Sequence, residues 1–371
     1  MHPVLFGGLL LMALAGREAA ASAASLGIVA HPEGGSIAYD MNAKGQVAAV
    51  IDDGKGSRHA VFADKGKPFK LITPEGTKSE ARRINDKGEV VGSARSRDGS
   101  WFAFVYSEAD GMRRIGTLGG ASSYGMGIND AGAAVGYADT ANGEWHAFLS
   151  VPGKALLDLG TLGGKFSYAK DINNAGQIVG AATTRDGYRH AFLYDPERGM
   201  IDLGTLGGRV STANAINDRG VVVGTSEMRD GRFHAFVYDG TRMIDLGAII
   251  GHGDSFAADI NNAGDVVGTV ELSNERYGDR RISFVWQNDR MSLHPSGKAL
   301  YLTHAISDAG HVIGATYDRG LDAATMPSHA APFVDHGGEK ILSFFAFVLL
   351  IAGAAAIIAS RGKVSWSRWP G

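Results

Sequence analysis

The residues of this sequence best suited to chemistry are its recurring histidines, His59, His146, His190, His234 and His329. A neutral imidazole is both a metal ligand and a general base, so a ring of them could hold a metal ion. Three are followed by a carboxylate at Asp158, Asp202 and Asp245. Yet His146, His190 and His234 are spaced by 44 residues. A constant interval makes them one position in successive copies of a unit, expected to lie too far apart to share an ion. Repeated residues in a repeat protein do repeated structural work, such as bonding a turn. The histidines are therefore expected to be structural and the aspartates to support turns. No catalytic residue, metal or cofactor is expected.

Other signatures are missing. Asp98, Asp186 and Asp230 precede glycine but lack the alternating oxygen ligands of a calcium loop. There is no Gly-x-Ser-x-Gly, no His-Glu-x-x-His and no phosphate loop. With no cysteine, a disulfide framework, a zinc-thiolate site and a cysteine nucleophile are excluded. Residues that break the repeat are better candidates, because the fold does not require them. The sixth copy carries an enlarged turn at 273–281 (SNERYGDRR), whose Arg276, Arg280 and Arg281 form a candidate ligand-binding loop. The seventh copy is irregular over 318–328. Drift near the closure point of the repeat is the plainer reading of both.

The element that must position these residues is the repeat itself. Its marker is an asparagine: Asn42, Asn85, Asn129, Asn173, Asn217 and Asn261, with Ser307 in the seventh copy. Three residues on stands a glycine in every copy: Gly45, Gly88, Gly132, Gly176, Gly220, Gly264 and Gly310. Seven residues on a second glycine recurs from Gly92 to Gly314, and only the first copy departs, with Ala49. An Asn can bond its own backbone at a turn, and glycine supplies the left-handed conformation. The fourth copy then reads as four strands: 167–172, 177–182, 189–194 and 200–206. In the third, His190, Phe192 and Tyr194 face one way and Ala191 and Leu193 the other. Two largely apolar faces suit a sheet packed between neighbours.

Four strands in about 44 residues is the size of one propeller blade. The segment 26–29 (LGIV) resembles 159–162 (LGTL), a fourth strand, and the seventh copy lacks one after 332–334. The expectation is an all-β, seven-bladed β-propeller closed by an N-terminal strand, which removes exposed sheet edges. An open β-solenoid is the alternative.

His146-Ala147-Phe148, His190-Ala191-Phe192 and His234-Ala235-Phe236, joined to the 158–164 run DLGTLGG, resemble the HAF repeats of bacterial extracellular proteins. The resemblance covers residues 26–335. The outer copies depart from it, with His59-Ala60-Val61, Phe102-Ala103-Phe104 and Ile282-Ser283-Phe284. It implies export and a repeat fold, and no particular activity. Such proteins often carry Pro-Glu-Pro before a terminal hydrophobic helix. Here that position reads His336-Gly337-Gly338-Glu339-Lys340, so a retained anchor is expected rather than removal by a sorting enzyme.

The ends of the chain agree with export. Residues 4–15 are apolar and small residues follow, with a small-x-small site at 21–23 or 19–21, as in a secretory signal. Residues 341–359 carry no charge and span about 28 Å as a helix, close to a bilayer core. Arg361, Lys363 and Arg368 beyond it place the C-terminus in the cytoplasm. The organisation expected is signal peptide 1–23, ectodomain 24–338, transmembrane helix 339–360 and basic tail 361–371. With 36 basic against 39 acidic residues, net charge −3, nothing calls for nucleic acid. The function expected is a non-catalytic binding or scaffold module at the cell envelope, with a polysaccharide or protein ligand. A hydrolase or lyase acting on envelope polysaccharide is the alternative.

Overall fold

The computed structural model describes Met12–Ala13 and residues 36–53, 56–64, 67, 69–73, 78–247, 253–274, 278–294 and 299–318. The chain divides into two compact units, 1–316 and 317–371. The first holds the propeller; of the second only the last two residues of strand His311–Asp318 are described.

Six four-stranded antiparallel sheets follow one another along the chain. In the third blade the strands are Gly119–Ile128, Ala134–Thr140, Trp145–Ser150 and Leu157–Asp158, in that order from the axis outward. The β-propeller expected from the repeat is what forms, but it has six complete blades where seven were expected. The seventh sheet contains Ala299–Ile306, His311–Asp318 and the short strand Met12–Ala13, paired Met12↔Val312. That third strand comes from the segment expected to be a signal peptide. The expected donor, 26–29, lies outside the described residues, as do the expected membrane span 341–359 and His329. Among the described residues no helix is long and apolar enough to cross a membrane.

The core lies between sheets rather than inside one. Val135, Ala147 and Leu159 of blade 3 share a cluster with Ala169, Ile178 and Phe192 of blade 4. The same pairing recurs around the ring, and the seventh sheet packs against blade 6 through Val267 and Ile306 and against blade 1 through Ala38, Ala305 and Ile313. Both faces of every central strand are thus dry, which is why these strands read as nearly unbroken apolar runs. The phenylalanine of copies two to six, at 104, 148, 192, 236 and 284, is fully buried.

The second glycine of the repeat has a steric cause. A Cβ on Gly136 would stand 1.8 Å from the Tyr124 carbonyl oxygen, and one on Gly92 would stand 2.8 Å from the Phe104 ring. Blade 1 departs twice at this spot: Ala49 replaces the glycine, and its cross-strand partner is Val61 rather than phenylalanine. The smaller partner removes the ring that a Cβ meets at this position in blades 2, 5 and 6.

Candidate ligand-binding site

Consecutive blades are stitched together at the turn after each inner strand. Asn129 Oδ1 accepts the Ala131 and Ala133 amides at 3.1 and 3.0 Å, closing its own turn. Its Nδ2 donates to the Asn173 carbonyl of the next blade at 3.1 Å. Asn42, Asn85, Asn173, Asn217 and Asn261 make the equivalent bond to the next blade. The Gly three residues on takes φ near +75 to +94° in these turns, at 45, 88, 132, 176, 220, 264 and 310. Residues that sequence reasoning passed over add two more ladders. From the second copy on, the residue after the marker accepts the preceding blade's amide: Asp86 from Ala43, Asp130 from Asp86, Asn174 from Asp130, and onward to Asp308. Buried Ser79, Ser123, Ser167, Ser211 and Ser255 each accept the amide of an alanine one blade back. Their signal was present, since an Asp or Asn and a Ser recur at fixed offsets from the marker.

These turns ring one mouth of an axial cavity of about 400 Å³. Each inner strand of the six blades carries a bulge just before its end, for example between Ala169 and Asp171. The residue after it lines the cavity as Asp40, Arg83, Asp171 or Asp259. Arg83 crosses the axis. Its Nη2 lies 3.2 Å from Asp259 of blade 6 and its Nη1 3.5 Å from Asp40 of blade 1. The second oxygens of Asp40, Asp171 and Asp259 accept the amides of Ile84, Ile216 and Ile306 at 2.9, 3.0 and 2.9 Å. Burial raises Asp40, against the lowering pull of Arg83. Burial pushes Asp171 up to about 6, again against Arg83. Burial alone would lower Arg83, but the carboxylates at 259, 171 and 40 outweigh it and hold it above its ordinary value.

One layer further from the rim the charge changes sign. Lys170 Nζ donates to Asn214 Oδ1 at 2.7 Å, and Asn214 donates to the Ala257 carbonyl at 2.6 Å. Burial, with Arg189, Arg82 and Arg83 adding to it, pulls Lys170 down to about 7. His304 is drawn down to about 4 by burial and the same two channel arginines, and packs on Tyr39 at 5.3 Å. Arg82 lies over the Tyr39 ring at 4.8 Å and pairs with Glu80.

The opposite face, where each outer strand crosses to the next blade, carries an aromatic series. Trp101 stacks on Tyr124 at 6.0 Å, Tyr124 on Tyr137 at 4.8 Å, Tyr137 tilts on Trp145 at 5.8 Å, and Trp145 on Phe166 at 5.0 Å. Sequence reasoning missed this cluster.

The histidines do not converge. His146 Nδ1 lies 2.8 Å from Asp158, His190 Nδ1 2.9 Å from Asp202 and His234 Nδ1 2.9 Å from Asp245, each within its own blade. The same aspartates accept the amides of Gly160, Gly204 and Gly247 at 2.8 Å. His59 meets Asp53 at 3.4 Å through Nε2. Among the described residues no group is placed to hold a metal ion. The expected sixth-copy turn is shorter than read: the ladder runs on through Glu271↔Arg281 and Leu272↔Arg280 to Asn274↔Gly278, so Arg280 and Arg281 stand on a strand. Arg276 lies outside the described residues.

Radial four-stranded blades around a polar axial cavity define the chain as a β-propeller. No family model and no curated protein matches the sequence. Solved structures do. The β-propeller domain of the trilobed protease from Pyrococcus furiosus, described as having an open velcro topology, is similar with TM-score 0.52 and 10% identity, over 73% of this chain and 88% of that one. TolB from Acinetobacter baumannii is similar with TM-score 0.43 and 12% identity over 76% of this chain, which spans only 64% of TolB. BP39L lectin from Burkholderia pseudomallei is similar with TM-score 0.40 and 8% identity, over 72% and 80%. At 10% identity, the likeness to the Pyrococcus domain shows the fold alone.

Proposed function

We propose that this chain is an exported propeller of the HAF-repeat kind that acts as a non-catalytic binding or scaffold module at the cell envelope. In this reading residues 341–359 anchor it in the membrane, and residues 26–29 complete the seventh blade. The observation that carries it is the separation of repeated from unrepeated chemistry. Each His–Asp pair is occupied inside its own blade, holding a turn. The residues that differ from blade to blade gather around the axis and on the crossover face, where a ligand has access. A rigid ring with a variable face suits display and recognition better than bond cleavage.

The axial carboxylates favour a second reading, a hydrolase or lyase on envelope polysaccharide. Buried acids with raised pKa values in a cavity are what such chemistry needs. Against it, Asp40 and Asp259 pair with Arg83 and cap the next strand. The test is incubation of the full-length protein with cell-wall and exopolysaccharide fractions, reading binding and product in the same tubes. Saturable binding without new reducing or unsaturated ends is expected; release of such ends would replace the module with an enzyme.

A further inference from the structure

Four blade-to-blade contacts at the crossover end use one pair of positions, the residue before the HAF-like triplet and the fifth residue before the next marker. Blade 1 meets blade 2 there through an Arg58–Glu80 ion pair at 3.7 Å. Blade 5 meets blade 6 through Phe233 and Phe256 at 6.5 Å. Blades 4 and 5 offer Arg189 and Thr212, with no ring at either position. The fold therefore does not require tryptophan here. Yet Trp101 and Trp145 occupy it in consecutive blades, and Tyr137 and Phe166 join them into one partly exposed ridge across blades 2 to 4.

The surroundings of this ridge select a ligand chemistry. Its rings are all aromatic, whereas the exposed aliphatic side chains Leu71, Leu157, Ile244 and Leu293 lie on outer strands at the rim of the ring. Beside the ridge stand two carboxylates. Asp139 pairs across the ladder with Trp145, and Glu144 precedes that residue with an oxygen 4.0 Å from His146. With Arg95 near Tyr124 and Arg82 near Tyr137, the charges about the ridge are mixed and give a phosphate or uronate chain no net attraction. Flat rings with a negative face, bordered by hydrogen-bonding oxygens, match the C–H faces and equatorial hydroxyls of a pyranose. Tyr124 and Tyr137 stack on each other at 4.8 Å and so spend those faces within the ridge, but its rings run across three blades, a longer contact than one sugar ring offers.

We infer that the ridge from Trp101 to Phe166 is a binding site for an uncharged polysaccharide. This inference rests on the display-module reading and names the ligand class of its variable face.

The experiment is affinity electrophoresis of the full-length, detergent-solubilised protein through native gels containing hydroxyethyl cellulose, laminarin or dextran. Alginate and single-stranded DNA serve as charged controls. Retardation by at least one neutral glycan is expected, with Trp101→Ala and Trp145→Ala each weakening it about tenfold or more, an effect like that of losing one aromatic stack. Trp145→Phe, which keeps a ring, retains most of the binding and covers the case in which the alanine variant fails to fold. Phe233→Ala removes the corresponding contact elsewhere and leaves retardation unchanged. Loss of binding in Phe233→Ala to the same extent, retardation by the charged polymers alone, or no retardation at all overturns the site. Absence of glycan binding with capture by a protein ligand leaves the module reading intact. New reducing ends with the tryptophan variants still weakened sink the non-catalytic reading and sustain the site.

Discussion

The two mouths of this ring are built on opposite plans. At the turn mouth nearly every blade repeats the same three devices: an asparagine that closes its turn and reaches the next blade, a neighbouring Asp or Asn that accepts an amide, and a glycine with positive φ. At the crossover mouth the same positions hold an ion pair, two tryptophan stacks, a pair without rings and a phenylalanine pair. Uniformity at one end leaves the other free to vary. A blade anchored through the turn mouth keeps its place whatever its crossover contact is made of. Repetition marks what the fold needs, and its interruption marks what the fold can spare.

The comparison breaks most visibly at the second glycine, which belongs to the uniform system. Gly136→Val puts a side chain onto the Tyr124 carbonyl, where even a Cβ stands at 1.8 Å. Expected is a loss of several kcal/mol, roughly 3 or more, typical of severe overpacking in a core. Thermal unfolding followed by circular dichroism reads it. A variant within 0.5 kcal/mol of the parent would mean that the glycines are not steric necessities.

Asn173→Ala comes next. It removes two local bonds and the one to Asn217 O at 3.0 Å, leaving the Gln177 amide and the carbonyl oxygens of Asn217 and the Gln177 side chain to find water. A loss of about 2 kcal/mol is expected from three modest hydrogen bonds in a buried setting. Trp145→Phe is expected to cost less than half of that, both variants being read by urea titration. Equal costs would erase the distinction between the two mouths.

The channel between them is sharpened by pH. Lys170 has a folded pKa near 7, below its ordinary 10.5, so the unfolded chain binds more protons between those values and stability rises with pH across that window. Asp171, raised to about 6 from 3.8, acts in reverse: stability falls as pH rises from 3.8 to 6. Lys170→Met is therefore expected to raise Tm at pH 7 by roughly 2–4 °C, about 1 kcal/mol for a domain of this size, and to flatten the slope above pH 7. Asp171→Asn is expected to flatten the acidic slope only. Unchanged slopes in both variants would show that neither group titrates as its surroundings dictate.

How much of this was legible follows from distance along the chain. The asparagine turn and its glycine are local, set within a few residues, and each strand of the unit pairs with the next in the chain, so their chemistry is readable from spacing. The Asp–Asn ladder and the serine contacts join residues 19 to 46 apart, and Arg83 meets Asp259 across 176. Such pairs become neighbours only once the ring exists. The aromatic ridge escaped for the same reason: Trp101 and Tyr124 look like ordinary strand residues until two blades abut. The blade count rested on the seventh copy, whose sheet has three described strands, Met12–Ala13 among them, while the expected donor 26–29 lies outside the described residues. The sixth-copy turn was misread because its polar run suggested a loop, whereas backbone pairing carries the ladder through it.

The smallest expected effect concerns the histidines. His190 bonds Asp202, which also holds the Gly204 amide at 2.8 Å. His190→Gln keeps a donor of similar reach and is expected to cost under 1 kcal/mol, the range of one partly exposed hydrogen bond. Asp202→Ala removes both bonds and is expected to cost about 1–2 kcal/mol. Neither change should alter glycan retardation or the response of Tm to zinc or to a chelator. If His190→Gln instead abolished a zinc-dependent rise in Tm, the imidazole would be a metal ligand, and the repeated residues would share in function after all. The division between a uniform frame and a variable face would then fail at its most repeated side chain.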